Sequence, residues 1–202
     1  MSATNYHTIQ LETEGLYKEK GSKFLSFAFP VASQEDIKLR LNELRKSYYD
    51  ARHFCYAWVL GLSNQNWRAN DDGEPAHSAG DPILGQIRSS DLTNVLVVVV
   101  RYFGGTKLGV GGLIGAYKQA AGDALAKVQR SEVFEQVALR FSFPYDLLST
   151  VERLIVDFEL DVSIRDFRET CRIEAKIRKE WLASFQIKVK DLYTLQVTMD
   201  QD

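Results

Sequence analysis

The run Arg101-Tyr102-Phe103-Gly104-Gly105-Thr106-Lys107-Leu108-Gly109-Val110-Gly111-Gly112 combines two cations, two aromatics and five glycines. It joins a strongly apolar stretch to a helical pattern. Successive glycines let backbone amides converge, and the start of a helix carries partial positive charge. With Arg101 and Lys107 at its edges, the loop around Gly104 and Gly105 can hold a phosphate or a carboxylate. The plainer reading is a tight turn where a strand and a helix pack closely. Neither common nucleotide motif fits. A P-loop needs Lys-Ser/Thr directly after its last glycine, but Val110 follows Gly109; a dinucleotide fingerprint begun at Gly109 needs glycine where Ile114 stands. Nucleoside-triphosphate hydrolysis and Rossmann chemistry are therefore not expected.

Three further segments carry chemistry-capable side chains. Asn70-Asp71-Asp72-Gly73-Glu74-Pro75 clusters carboxylates on a turn-rich loop. Asp71, Asp72 and Glu74 there can serve as acid and base or meet a cation, or they can simply cap turns and helix ends. The spacing is not that of an EF-hand, and no second acidic cluster completes a two-metal site, so no metal and no cofactor are expected. In Arg52-His53-Phe54-Cys55, alternation puts His53 and Cys55 on one strand face. A Cys–His nucleophile pair is conceivable, but a packed imidazole and a buried thiol fit the pattern better, and no catalytic residue is assigned. Lys20-Gly21-Ser22-Lys23 places two lysines beside a glycine turn, either against phosphates or as a solvated hairpin end.

These segments need a scaffold. Tyr6 to Glu12 and Phe24 to Val31 read as strands around a polar turn at Lys18 to Ser22. Ser33 and Asp36 form a capping box for a helix whose stripe is Ile37, Leu41, Leu44 and Tyr48. His53 to Leu60 is a strand, and Asp81-Pro82 reads as the N-cap and first turn of a helix through Ile87. Asn94 to Phe103, with continuous valines, is a strand buried on both faces; a helix follows from about Gly112 to Val128. Near residue 133 the pattern changes. Residues 134–202 read strand–helix–strand–strand–helix–strand, the ferredoxin-like βαββαβ order. The expected organisation is therefore α+β in two domains, 1–133 and 134–202.

Bulk properties bound the partners. The 202-residue chain is 45% hydrophobic and 26% charged with a formal net charge of −2, so any anion binding depends on local clustering of cations. Cys55 and Cys171 form no Cys-x-x-Cys unit and read as reduced, buried thiols. Met1 to Glu12 lacks signal-peptide character, and Val95 to Val100, the longest purely aliphatic run, is too short to span a bilayer. A cytoplasmic protein with no membrane partner is expected.

Taken in order, Lys20-Gly21-Ser22-Lys23-Phe24, Ala51-Arg52-His53, Asp71-Asp72-Gly73-Glu74-Pro75, Ala79-Gly80, Pro82-Ile83-Leu84, Arg101-Tyr102-Phe103-Gly104-Gly105, Lys107-Leu108-Gly109 and Gly111-Gly112-Leu113 resemble the IMPACT/YigZ family in its bacterial two-domain form. The resemblance covers most of residues 16–125. It implies a first domain similar to the second domain of ribosomal protein S-five and a small ferredoxin-like second domain. It also implies a link to translation, since the eukaryotic relatives are translation regulators. Ala76-His77-Ser78, Asp81 and Gly115 depart from the family pattern, the last two by lowering positive charge. The function expected is RNA or ribosome binding through Lys20, Lys23, Arg52, Arg101, Tyr102, Gly104, Gly105 and Lys107, with the cations on one surface. An enzyme for a small anionic substrate would instead need one concavity holding both the acidic segment and the glycine loop. A protein-docking scaffold, with a protein partner, is the third possibility.

Overall fold

A two-residue turn starts the main sheet. Lys20 and Gly21 both take left-handed backbone angles (φ 45° and 80°), the pair that matches the twist of a tight hairpin. That hairpin joins strands β2 (Thr13–Glu19) and β3 (Ser22–Pro30), not the expected Tyr6 to Glu12 segment. The earlier segment contributes β1 (Asn5–Ile9), which pairs with β7 (Arg130–Phe134). The error has a physical cause: β2 is an edge strand with weak apolar alternation, and pairing to β3 rather than burial makes it extended. The computed structural model describes residues 5–61, 66–168 and 170–199. The chain divides into two compact units, Tyr6–Val133 and a second that begins at Phe134.

In the first unit the five-stranded antiparallel sheet has the order β2-β3-β6-β4-β5, with β4 at His53–Leu60, β5 at Asn66–Asn70 and β6 at Val95–Tyr102. Val95 to Val100 are wholly buried because helices cover both faces of this central strand. Helix α1 (Gln34–Ser47) packs on the face that carries Phe27, Phe29, Trp58 and Val98. It begins at the expected capping box: Ser33 Oγ accepts from the Asp36 amide at 3.1 Å, and Asp36 accepts from the Ser33 amide at 3.0 Å. Amides of Ala32 and Ser33 and the Ser33 hydroxyl hold the Asp36 carboxyl below its ordinary range. Helices α2 (Gly80–Ser89) and α3 (Gly109–Leu125) cover the opposite face, over Phe24, Cys55, Val97 and Val99.

Both of those helices begin earlier than expected. Asp81 is not the cap of α2 but lies in its first turn; the cap is supplied from a distance by Asp71, whose Oδ1 accepts from the Ala79 and Gly80 amides at 2.9 Å each. Helix α3 starts at Gly109, so Gly111 and Gly112 belong to its first turn.

The second unit contains β8 (Gln136–Phe143), α4 (Leu148–Asp157), β9 (Asp161–Phe167), β10 (Cys171–Arg178), α5 (Leu182–Val189) and β11 (Gln196–Met199). Its antiparallel sheet has the order β11-β8-β10-β9, which gives the βαββαβ connectivity read from the alternation. Leu139, Phe141, Ile173, Ile177, Leu154 and Phe185 form its separate core. Both cysteines are buried and free.

Candidate functional site at the end of the main sheet

Antiparallel register brings three chain segments together. At the end of the sheet Lys23 pairs with Tyr102, Phe24 with Arg101, and Arg101 with His53. Alternation then sorts them. Arg101 follows Val97 and Val99 onto the α2–α3 face, while Lys23 and Tyr102 lie on the α1 face. Arg52, exposed just before β4, lines a depression of about 340 Å³ together with Asp50, His53, Tyr102 and Phe103. The Tyr102 hydroxyl donates to Asp50 at 2.7 Å, and this hydrogen bond, with burial behind it, raises its pKa to about 12.

The glycine loop is fastened to the lysine hairpin. A Cβ on Gly104 would sit 1.9 Å from the Gly21 carbonyl carbon, so the two backbones meet with no room for a side chain. The Gly104 amide donates to the buried Ser22 hydroxyl at 3.1 Å. Gly104 is thus spoken for by chain packing, whereas Gly105, at φ 87°, has open space above it. Lys20, Lys23 and Lys107 are exposed around this contact.

The acidic loop is mostly committed to holding itself in place. Asp72 (φ 41°) and Gly73 (φ 89°) make a left-handed turn closed by the Glu74 amide on the Asp71 carbonyl at 2.9 Å. The Asp71 carboxylate accepts from His77, Ala79 and Gly80 amides. Burial pushes its pKa up, but amides of Gly80, His77 and Ala79 outweigh this and hold the carboxyl below its ordinary range. Asp72 accepts from the Phe54 amide at 2.7 Å and from Arg45 at 2.9 Å.

Glu74 alone turns inward. Arg101 Nη1 donates to its Oε1 at 2.6 Å and the Tyr117 hydroxyl donates to the same oxygen at 2.8 Å. The side chains of Glu74 and Arg101 are 5% and 7% exposed. Arg101 is therefore a buried partner of Glu74, not a free cation beside the glycine loop. Its guanidinium carbon lies 5.5 Å from the Phe24 ring centre and 5.7 Å from that of Phe103, so it also supports the exposed Phe103 ring. Behind them the Cys55 sulfur lies 3.0 Å from the Asp71 carbonyl oxygen and 3.3 Å from the Tyr117 oxygen. Burial pushes the Cys55 thiol and the Tyr117 hydroxyl well above their ordinary values, so both stay protonated at neutral pH. His53 Nδ1 lies 2.9 Å from the Asp72 carbonyl oxygen. His53 and Cys55 have separate partners, and a protonated, buried thiol is no nucleophile.

Glu74 and Pro75 meet Arg101, Phe103, Lys107 and the first turn of α3 around a cavity of about 360 Å³. Tyr117 is a site residue that the sequence motifs do not point to; it lies 43 positions from Glu74, and no local pattern links them. Among the described residues no cluster of three or more His, Cys, Asp or Glu is arranged to hold a metal ion, and no helix is long and apolar enough to cross a membrane.

The fold and this end-of-sheet constellation define a two-unit α+β protein in which an acidic turn locks a glycine loop. The model of the Impact N-terminal domain family matches residues 20–125, the stretch that holds every candidate site residue, and the chain belongs to the IMPACT family. It is similar to the IMPACT family member YigZ of Escherichia coli, 30% identical over 174 residues and 85% of each chain. It is also similar to the family member YvyE of Bacillus subtilis, 28% identical over 90% of this chain and 83% of that one. A crystal structure described as that of a hypothetical protein matches with a TM-score of 0.75 at 27% identity, covering 99% of both chains.

Proposed function

We propose that this protein binds RNA, free or on the ribosome, as a translation-associated regulator. The observation that carries the reading is the register at the end of the main sheet. It puts exposed Lys23 beside Tyr102 on the α1 face, with exposed Arg52 next to Tyr102 and Phe103. Exposed Lys107 shares a second cavity with the exposed Phe103, and Lys20 lies in the β2–β3 turn, so the cations are divided between two faces of the sheet end and do not share the one surface expected. Cations spaced around aromatic rings suit single-stranded RNA, whose phosphates take the charges while a base stacks on a ring. In this reading Arg101 positions Phe103 and does not touch phosphate.

The test is binding of the purified protein to ribosomes and to short single-stranded RNA across a salt series, beside a Lys23→Ala/Arg52→Ala/Lys107→Ala variant. The expected result is saturable binding that weakens with salt. The variant should bind more weakly, with its logarithmic salt slope shallower by about 2, at roughly 0.7 per lost phosphate contact. Absence of binding to both at low salt removes the reading.

One observation favours a second reading. The acidic segment and the glycine loop do line a single cavity, as an enzyme for a small anionic substrate requires. Against it, the Glu74 oxygen that would exchange protons already accepts from Arg101 and Tyr117.

A further inference from the structure

We propose that the cavity between Glu74 and the start of α3 is a pocket for one nucleotide, with the base against Phe103 and the phosphate at Lys107 and the α3 amides. This rests on the RNA reading and assigns that surface its central subsite.

The cavity, about 360 Å³, falls in the roughly 300–1,000 Å³ range of small-molecule pockets. Its walls are largely apolar, with Pro75, Phe103, Leu108 and Val110 around it, yet Phe103 and Val110 remain 59% and 52% exposed. A flat apolar wall at a solvent-facing helix start suits a planar ring. The polar groups sit where a ring-bearing phosphate needs them. Helix α3 begins with no side-chain cap and no acidic residue in its first turn, which leaves its first amides for an anion. Exposed Lys107 adds a full charge. Glu74 does not oppose this, because Arg101 and Tyr117 compensate it.

An independent observation marks the cavity as a ligand site. Arg101, which lines it, is 93% buried by side-chain area, and its Nε has no hydrogen-bond partner. Buried donors of charged groups are ordinarily satisfied; this Nε has almost no accessible surface as it stands, so an acceptor on a base, a carbonyl oxygen or a ring nitrogen, pairs with it only when the Arg101 side chain shifts toward the cavity.

The same chemistry arises from a free nucleotide or from an unpaired nucleotide in an RNA strand. Calorimetry on the full chain with the four nucleoside 5′-monophosphates, inorganic phosphate and a single-stranded tetranucleotide separates them. The variants are Val110→Trp, which fills the cavity, and Phe103→Ala, which removes the stacking wall; both positions are exposed, and melting temperatures check folding. At least one monophosphate should bind about tenfold tighter than inorganic phosphate, and each variant should weaken it about tenfold. If tetranucleotide binding falls in parallel, the pocket takes a nucleotide of a strand; if only monophosphate binding falls, it takes the free nucleotide. The proposal is overturned if no monophosphate binds, if phosphate binds equally well, or if both variants leave every isotherm unchanged. Nucleotide binding without any ribosome or RNA binding would instead remove the RNA reading and leave the pocket.

Discussion

Glu74 and Arg101 are an ion pair almost fully removed from water, so their value lies in mutual compensation. Arg101→Met leaves a buried carboxylate whose only remaining partner in the pair's place is the Tyr117 hydroxyl. That change should cost about 3–5 kcal/mol in urea denaturation. Replacing both charges, Glu74→Leu with Arg101→Met, should recover most of the loss, because neither charge is then buried alone. Equal losses in the single and double variants would contradict a compensating pair. The carboxylate cluster itself was legible in the sequence, as was its alternative role in capping. The division of labour was not. Asp71 and Asp72 serve backbone amides and Arg45, while Glu74 reaches a cation 27 positions away. Nothing in the spacing of three acids in four residues says which one faces inward.

At the scale of elements, the contact between the glycine loop and the β2–β3 turn positions the site. Gly104→Ala should cost about 3 kcal/mol, since its Cβ would collide with backbone that cannot yield without parting the loop from the hairpin. Gly105→Ala, which meets only open space and a left-handed φ of 87°, should cost about 1 kcal/mol. Comparable losses from the two would show that close approach is not what locates the loop. Strong periodicity and capping chemistry made α1, β4, β6 and the whole second unit readable, because apolar burial writes itself into alternation. Edge strands β2 and β5 carry little of that signal. Their extended form comes from hydrogen bonds to the strands adjacent to them in sequence, β3 and β4, and backbone pairing of that kind leaves no apolar alternation in the strand itself.

For the whole molecule, the two core layers that share the main sheet and the separate core of the second unit imply two cooperative units. Phe185 is fully buried and meets Phe141 and Phe158 edge to face at 5.9 and 5.3 Å between ring centres. Phe185→Ala should therefore remove about 3–5 kcal/mol from the unit that begins at Phe134. Hydrogen exchange should show the loss in β8 and β10 amides and leave β3 and β6 protection unchanged. Equal deprotection of all four strands would mean that the chain unfolds as one body.

By itself the sequence determined the fold class, the βαββαβ order after residue 134, the capping box of α1 and the segments that form the site. These depend on local propensity and on apolar periodicity, which are properties of neighbouring residues. Only the tertiary structure decided that Arg101 is a buried partner of Glu74, that Asp71 caps α2 from outside the helix, and that Gly104 is needed for packing against Gly21. Arg101 with Glu74 and Gly104 with Gly21 are pairings of groups distant along the chain, and the Asp71 cap reaches across a loop to amides eight and nine positions on. Such pairings are set by strand register and helix placement, and no spacing within a single segment encodes them.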